Sequence, residues 1–176
     1  MNQSSLERRA SRIQALASHA IYTLALVVSI STWFIAFRAP LWTDETGSYW
    51  EISDGLSHIW GRRGIGFPAF DYILWVFTRI FGTSEVALRS LSIFTMLCAT
   101  YLLYRIARGL FERDTALIAV IIFCVDPIVV FASIDVRPYA FAVLTVNAAI
   151  FILLRLRNSD SSWLAALFGV VAAGVV

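Results

Sequence analysis

Residues 20–47 read AIYTLALVVSISTWFIAFRAPLWTDETG, and the interpretation of the whole chain starts from this stretch. Residues 20–37 carry no charge, and as a helix rising 1.5 Å per residue they would cover about 27 Å, close to the thickness of a bilayer core. Two adjacent acids, Asp44 and Glu45, follow shortly afterwards. A carboxylate pair so near the lipid boundary belongs either to a solvated turn or to the working site of a membrane enzyme.

The composition also indicates a membrane protein. Of 176 residues, 59% are hydrophobic and the mean hydropathy is +0.76, whereas a soluble domain is only about half apolar. All fourteen basic residues are Arg, and the net charge of +2 gives no reason to expect a nucleic-acid partner. Cys98 and Cys124 lie inside apolar runs, so neither a disulfide nor a metal site is inferred from them.

These features predict an all-α, polytopic transmembrane protein, with residues 1–176 forming the N-terminal part of one transmembrane domain. A basic helix on the membrane surface is expected before the first span. A signal peptide is the rival interpretation of that span, but residues 20–37 are longer than its usual apolar region, and large aromatic residues followed by Arg38-Ala39-Pro40 stand where a small-x-small cleavage site would be expected. The predicted spans are residues 20–37, 86–104, 115–133, 138–154 and 163–176, with interfacial helices at about 46–60 and 67–82. The last span is short, which suggests a longer protein.

The distribution of arginine sets the topology. If the segment Phe67–Gly82 does not cross, the connections 105–114 and 155–160, with five arginines, lie on the same side as the basic N-terminus. If it crosses, those arginines move to the other side. The positive-inside rule favours the first arrangement, with the N-terminus in the cytoplasm. Asp44 and Glu45 then share the outer face with Asp135 and Arg137.

This outer group of charges has alternative interpretations. Asp44 and Glu45 could hold a divalent cation through oxygen ligands, one of them could accept a proton from an attacking hydroxyl, or both could simply be solvated. Arg137 precedes Pro138, a favoured first residue of a helix, so it could bind phosphate at a helix N-terminus. It could equally reach the headgroups or pair with Asp135.

An acid also occurs inside a predicted span, at Asp126-Pro127. An ionisable residue at that depth is a functional candidate by default. A structural interpretation, with Asp126 facing a partner helix where proline interrupts the hydrogen bonds, is preferred here.

The order of the charged and aromatic residues resembles that of the GT-C glycosyltransferases, which include protein O-mannosyltransferases and lipid A aminoarabinose transferases. The stretch Trp42–Glu45 is similar to the Asp-Glu signature of their first outer loop, and Ser133–Tyr139 is similar to Ser-Gln-Glu-x-Arg-Pro-Tyr. Further segments match in order: Phe67–Tyr72, Phe81-Gly82 with Ala87–Ser92 (similar to a Phe-Gly…Arg-x-x-Ser segment), Tyr104–Arg108, and Asp126-Pro127. The chain departs from the pattern at Gly66–Ala69, where the family has His-Pro-Pro, and at Ile134-Asp135, where it has Gln-Glu.

This resemblance implies a function. Such enzymes transfer a sugar from a polyprenyl-phosphate carrier to an extracytoplasmic lipid, glycan or protein, and the bacterial plasma (inner) membrane is the expected location. Asp44 would be the catalytic acid/base or a metal-positioning residue, Glu45 its catalytic neighbour, and Asp135 and Arg137 would bind substrate, with Arg137 on the donor phosphate. The cofactor stays open, a divalent cation being one possibility. The rival classes are a transporter or lipid flippase without chemistry, and an inactive fragment.

Overall fold

The computed structural model describes residues 3–55, 68–157, 159 and 161–173, and every regular element within these ranges is helical. An all-α membrane protein was predicted, and the described residues confirm it. The α-helices, in chain order, are α1 (Gln3–Ser31), α2 (Thr43–Ser53), α3 (Pro68–Phe81), α4 (Glu85–Leu110), α5 (Arg113–Val125), α6 (Pro127–Ile134), α7 (Tyr139–Leu156) and α8 (Ser162–Ala173). A single 3₁₀ turn, Thr32–Phe34, extends α1.

Helices occur in each region where a span was predicted, with different bounds. Three segments are long and apolar enough to cross a bilayer, namely Ala17–Phe34, α4 and α7, and the bent pair α5–α6 makes a fourth if it counts as one span. The surface helix predicted before the first span is continuous with it in α1. Helix α4 runs six residues beyond its predicted end at residue 104, so Arg105 and Arg108 lie on the helix and not in a connection. Helix α8 has only 12 residues, and residues 174–176 lie outside the described ranges.

The predicted single span 115–133 is wrong in one respect, because the structure divides it at Asp126 into α5 and α6, which meet at 65°. Pro127 has no N–H, so the helical ladder must break there. The Asp126 carboxylate accepts hydrogen bonds from the N–H groups of Ile128 (2.8 Å) and Val129 (3.3 Å), which caps α6. The preferred interpretation, in which Asp126 faces a partner helix, is therefore wrong: the residue is exposed and its structural role is to cap its own helix.

The break also leaves a carbonyl of α5 in need of a donor. The indole N–H of the fully buried Trp33 donates to the Cys124 carbonyl at 3.0 Å. Trp33 thus supplies a hydrogen-bond donor for a carbonyl at the helix break, because a buried carbonyl needs a partner. Trp33 also belongs to the larger apolar core, whose other buried members are Met96, Ala99, Val120, Cys124, Val129, Ala132 and Ala140.

Helix α4 lies at the centre of the described helices and packs against α3, α5, α6 and, most extensively, α7. Asn147 of α7 donates its side-chain amide to the carbonyl of Ala99 in α4 at 3.0 Å, a polar contact between two apolar helices. Large apolar residues are exposed along the outer faces of the bundle, as expected for contact with lipid.

The two short helices of the predicted interfacial region form a separate layer. Helix α2 ends at Ser53 and α3 starts at Pro68, so the part of the predicted helix 46–60 beyond residue 55, and Phe67, lie outside the described residues. The 14 residues of α3 would cover about 21 Å, less than a bilayer core. Both helices pack on the start of α4 through a second core, made of Ile52, Phe70, Leu74, Leu88, Leu91 and Val136.

Candidate functional site

The two adjacent acids occupy the first turn of α2 and point in different directions. Consecutive residues on an α-helix are about 100° apart, so neighbours cannot share one environment. The Glu45 residue is 1% exposed, whereas the side chain of Asp44 is 53% exposed. The acidic pair of the sequence is therefore one buried carboxylate and one solvent-facing carboxylate.

Glu45 is held by Arg89, one turn into α4. The guanidinium donates from Nε to Glu45 Oε1 at 3.1 Å and from Nη2 to Oε2 at 2.7 Å, so the pair is bidentate. The two side chains are 5% and 1% exposed, which places the ion pair inside the protein. An arginine in that position requires a partner of this kind, because an unpaired buried charge is costly.

The remaining donors of Arg89 fix the chain that leads into α2. Nη1 donates to the carbonyls of Ala36, at 2.8 Å, and Ala39, and Nη2 donates to the carbonyl of Pro40 at 3.2 Å. The segment between the 3₁₀ turn and α2 forms turns and no regular helix. Its Ala36 carbonyl also accepts from the N–H of Ala39 at 3.0 Å, and Arg89 supplies the other donors named here. One guanidinium thus ties the end of the first span, α2 and α4 together.

Glu45 also connects α2 to the turn between α6 and α7. Its Oε1 accepts from the backbone N–H of Val136 at 3.2 Å, and its Oε2 accepts from the backbone N–H of Trp42, the residue before α2, at 3.1 Å. The second contact is half of a capping box, in which the third helical residue caps the helix start. Both carboxylate oxygens are occupied, and Val136 brings its neighbour Arg137 to the start of α2.

Asp44 and Arg137 form the exposed counterpart of the buried pair. Arg137 Nη1 lies 2.9 Å from Asp44 Oδ2, with side chains 32% and 53% exposed. The Arg137 guanidinium also lies 5.6 Å from the ring centre of Tyr139, a cation–π contact that limits its orientation. The structure therefore brings together two groups that are 93 residues apart in the chain, as the shared outer face predicted.

Asp135 lies beside this pair but is almost completely buried, with 2% exposure. Its Oδ1 accepts from the indole N–H of Trp42 at 3.4 Å, its carbonyl accepts from the Ser92 hydroxyl at 2.7 Å, and its Oδ2 has no partner among the described residues. Burial raises the pKa of this carboxyl from 3.8 to about 6, the negative charges of Glu45 and Asp44 add to the rise, and the Trp42 hydrogen bond and Arg137 oppose it.

The same geometry tests whether Asp44 and Glu45 could bind a divalent cation. Such a cation needs several free oxygen ligands, and both oxygens of Glu45 already accept hydrogen bonds from Arg89 and the backbone. Within the described ranges, no group of three or more His, Cys, Asp or Glu residues could hold a metal ion. The residues present therefore do not fit a metal bridged by these two acids.

All four predicted site residues occur in one region, but two other residues organise it. Direct contacts, or contacts through Trp42 and Val136, link the four predicted residues Asp44, Glu45, Asp135 and Arg137. The two organising residues are Arg89 and Ser92, which the sequence indicated only as part of a segment that resembles the family. A signal for Arg89 was available, since a charge at the start of an apolar helix needs a buried partner. The roles of the predicted residues stay predictions.

The fold and the site define a helical membrane protein whose charged groups meet where the segment after the first long helix contacts a later helix turn, the arrangement expected of a GT-C type membrane glycosyltransferase. Residues 66–176 match the family model of dolichyl-phosphate-mannose-protein mannosyltransferases, and the chain belongs to this family. The protein is thus an integral membrane glycosyltransferase. No curated protein and no solved structure matches the chain significantly.

Proposed function

We propose that this protein transfers a sugar from a polyprenyl-phosphate carrier to a hydroxyl acceptor on the outer side of a bacterial plasma membrane, with its N-terminus in the cytoplasm. The observation that carries the proposal is the 2.9 Å contact between Asp44, which is exposed, and Arg137, which is partly exposed. A carboxylate and a guanidinium side by side supply the two groups that such a transfer needs. Membership of the mannosyltransferase family supports the same reaction class.

Arg137 is the proposed ligand of the donor phosphate. Only one of its guanidinium nitrogens contacts Asp44, and a guanidinium has five N–H donors, so others can bind a phosphoryl oxygen at the same time. The phosphate gains negative charge as the sugar leaves it, and a fixed positive group lowers the energy of that transition state. The position of Arg137 directly before α7, close to the lipid boundary, suits a donor that reaches the site from within the bilayer.

Asp44 is the proposed general base. The acceptor hydroxyl oxygen forms a bond to the anomeric carbon, the bond from that carbon to the phosphate oxygen breaks, and the hydroxyl proton passes to the Asp44 carboxylate. The carrier phosphate departs with the bonding electrons beside Arg137. Attack from the side opposite to the leaving phosphate inverts the anomeric centre.

Glu45 is the proposed positioning residue for this pair, a different role from that of its neighbour. Its carboxylate is buried and saturated by Arg89, Trp42 and Val136, so it has no free oxygen for substrate. By holding α2 against the 135–138 turn it fixes the separation of Asp44 and Arg137. Asp135 is buried and has one carboxylate oxygen without a partner among the described residues, and it is the proposed contact for a donor or acceptor hydroxyl.

A transporter or flippase without chemistry receives no support from the described residues. Such a protein is expected to place ionisable groups along a path between its spans. The acid that lies at the break of the bent pair α5–α6, Asp126, is instead an exposed helix cap. The other charges of the site are at the outer end of the bundle.

The test is sugar transfer by Asp44→Asn in membranes that contain the full-length protein. Asparagine keeps the shape of the side chain but cannot accept a proton, so transfer is expected to fall by about 10²–10⁴-fold, with normal membrane insertion. The matched control is Glu85→Gln, which removes another exposed acid at the start of α4. Near-normal transfer by Asp44→Asn would reject the role of Asp44.

A further inference from the structure

The opposite end of the α4–α7 helix pair contains a cavity of about 450 Å³ that the transfer reaction does not use. Its walls are the last turns of both helices. Four arginines line it, Arg105 and Arg108 from α4 and Arg155 and Arg157 from the end of α7, together with apolar side chains such as Ile106, Leu110 and Leu154. Since α7 has 18 residues, the cavity is about 27 Å along the helix from the Arg137 end.

The positive charge of this cavity is not neutralised within the described part of the chain. The Arg105 guanidinium donates to the Tyr101 hydroxyl at 2.8 Å, and Arg108 donates to the carbonyl of Phe111 at 3.0 Å. Both acceptors are neutral, and no carboxylate of the described residues forms an ion pair with any of the four. Like charges that converge without a counter-charge create a strong positive potential that favours an anion.

An aromatic ring holds two of these guanidinium groups in place. The ring centre of Phe151 lies 5.8 Å from the Arg105 guanidinium carbon and 5.2 Å from that of Arg155. Cation–π contacts order the two side chains and leave their N–H groups available for hydrogen bonds. Guanidinium N–H donors are suited to phosphate oxygens, which they bind in a bidentate manner.

We propose that this cavity is a binding site for the phosphate headgroup of an anionic phospholipid in the cytoplasmic leaflet. The cavity lies at the ends of two membrane-spanning helices, and its walls combine arginines with apolar side chains, which fits a headgroup and the start of its acyl chains. The concentration of arginine places this end of the bundle on the cytoplasmic side, where basic pockets between spans meet anionic lipid. A soluble phosphate would use the arginines but not the apolar walls.

The experiment measures lipid binding to the purified full chain in neutral detergent. Micelles are supplemented with phosphatidylglycerol or with zwitterionic phosphatidylcholine, and affinity is followed by native mass spectrometry and by the melting temperature. We expect preferential binding of phosphatidylglycerol. Arg105→Gln with Arg155→Gln removes two charges and is expected to weaken binding roughly thirtyfold.

Two further variants distinguish lipid binding in the cavity from a general effect of positive charge on this face. Arg113→Gln removes an arginine from the same face outside the cavity and should leave the affinity for phosphatidylglycerol near that of the wild type. Arg105→Lys with Arg155→Lys keeps the charge and should retain most of the binding. Both variants also control for folding. If the Arg105→Gln, Arg155→Gln variant does not fold, the comparison of the two lipids in the wild type and in the lysine variant tests the proposal.

Three results would overturn the proposal. The first is equal binding of phosphatidylglycerol and phosphatidylcholine by the wild type. The second is unchanged binding in a folded Arg105→Gln, Arg155→Gln variant. The third is displacement of the lipid by millimolar inorganic phosphate, which would identify a site for free phosphate and not for a lipid headgroup.

Discussion

Two ion pairs lie at the same end of the bundle, and they start from adjacent residues. Glu45 and Arg89 form a buried, bidentate pair with backbone partners on both sides, whereas Asp44 and Arg137 form a single contact that solvent reaches. The buried pair connects the first span, α2, α4 and the 135–138 turn. The exposed pair connects only α2 and that turn.

The difference shows how a membrane protein can use the same chemical groups for different purposes. A buried ion pair whose donors and acceptors are all satisfied is costly to break, and it fixes the relative position of the elements that carry it. An exposed pair contributes little to stability, and its groups can exchange partners with a substrate. Each prediction below separates these two roles.

The largest expected effect is on stability, in Glu45→Gln. The substitution leaves the Arg89 charge buried without its counter-charge, which costs about 3–5 kcal/mol in comparable cases. We expect a much lower melting temperature in detergent and less protein in the membrane. A melting temperature equal to that of the wild type would show that the buried pair does not hold the site together.

A smaller effect, on catalysis, is expected in Arg137→Gln. Removing a fixed donor to a developing negative charge typically lowers kcat by about 10²–10³-fold. The fall should be seen in transfer from the lipid-linked donor, measured with the donor below and above saturation, while the amount of folded protein stays close to that of the wild type. Arg137→Lys should recover part of the activity. Full activity of Arg137→Gln would remove this residue from the donor site.

The pH dependence of stability should reveal Asp135, which lies between α6 and α7 and outside the spanning segments. Its pKa in the folded protein is about 6, above the ordinary value of 3.8, so the folded state binds the proton more tightly than the unfolded state does. The contribution of the Asp135 carboxyl to the free energy of unfolding is therefore highest below pH 4, and it falls by roughly 3 kcal/mol as the pH rises towards 6 and above. Melting curves of wild type and Asp135→Asn isolate this contribution, since other carboxyls titrate in both proteins. Identical pH profiles would contradict it.

The smallest effect is expected for Asp44→Asn on stability. An exposed ion pair contributes about 0.2–1 kcal/mol, so a double-mutant cycle with Arg137→Gln should give a coupling energy in that range. Denaturation of the four proteins in detergent measures it. A coupling of several kcal/mol would mean that this pair, too, is part of the structural framework.

The sequence predicted the helical class from its long apolar runs, and the distribution of arginine predicted one membrane face for Asp44 and Arg137, which the structure brings into contact. It did not predict that Asp44 faces solvent while Glu45 is buried. Adjacent acids look alike in a sequence, and only the helix start at Thr43 decides which of them is buried.

The sequence also failed to assign Arg89 and to place the division of the third span. The partner of Arg89 is 44 residues away, and such a pairing depends on how α2 packs against α4. Pro127 was recognised as an interruption, but the 65° bend depends on the Asp126 cap and on the Trp33 contact with the Cys124 carbonyl. Long-range contacts of this kind have no local sequence signal.

The most direct test of the division of roles is the rate of sugar transfer per folded molecule in Asp44→Asn and Glu45→Gln, measured side by side in the full-length protein. The account predicts that Asp44→Asn is well folded and inactive, whereas Glu45→Gln is poorly folded but retains substantial transfer in the molecules that do fold. A well-folded, inactive Glu45→Gln together with an active Asp44→Asn would contradict it.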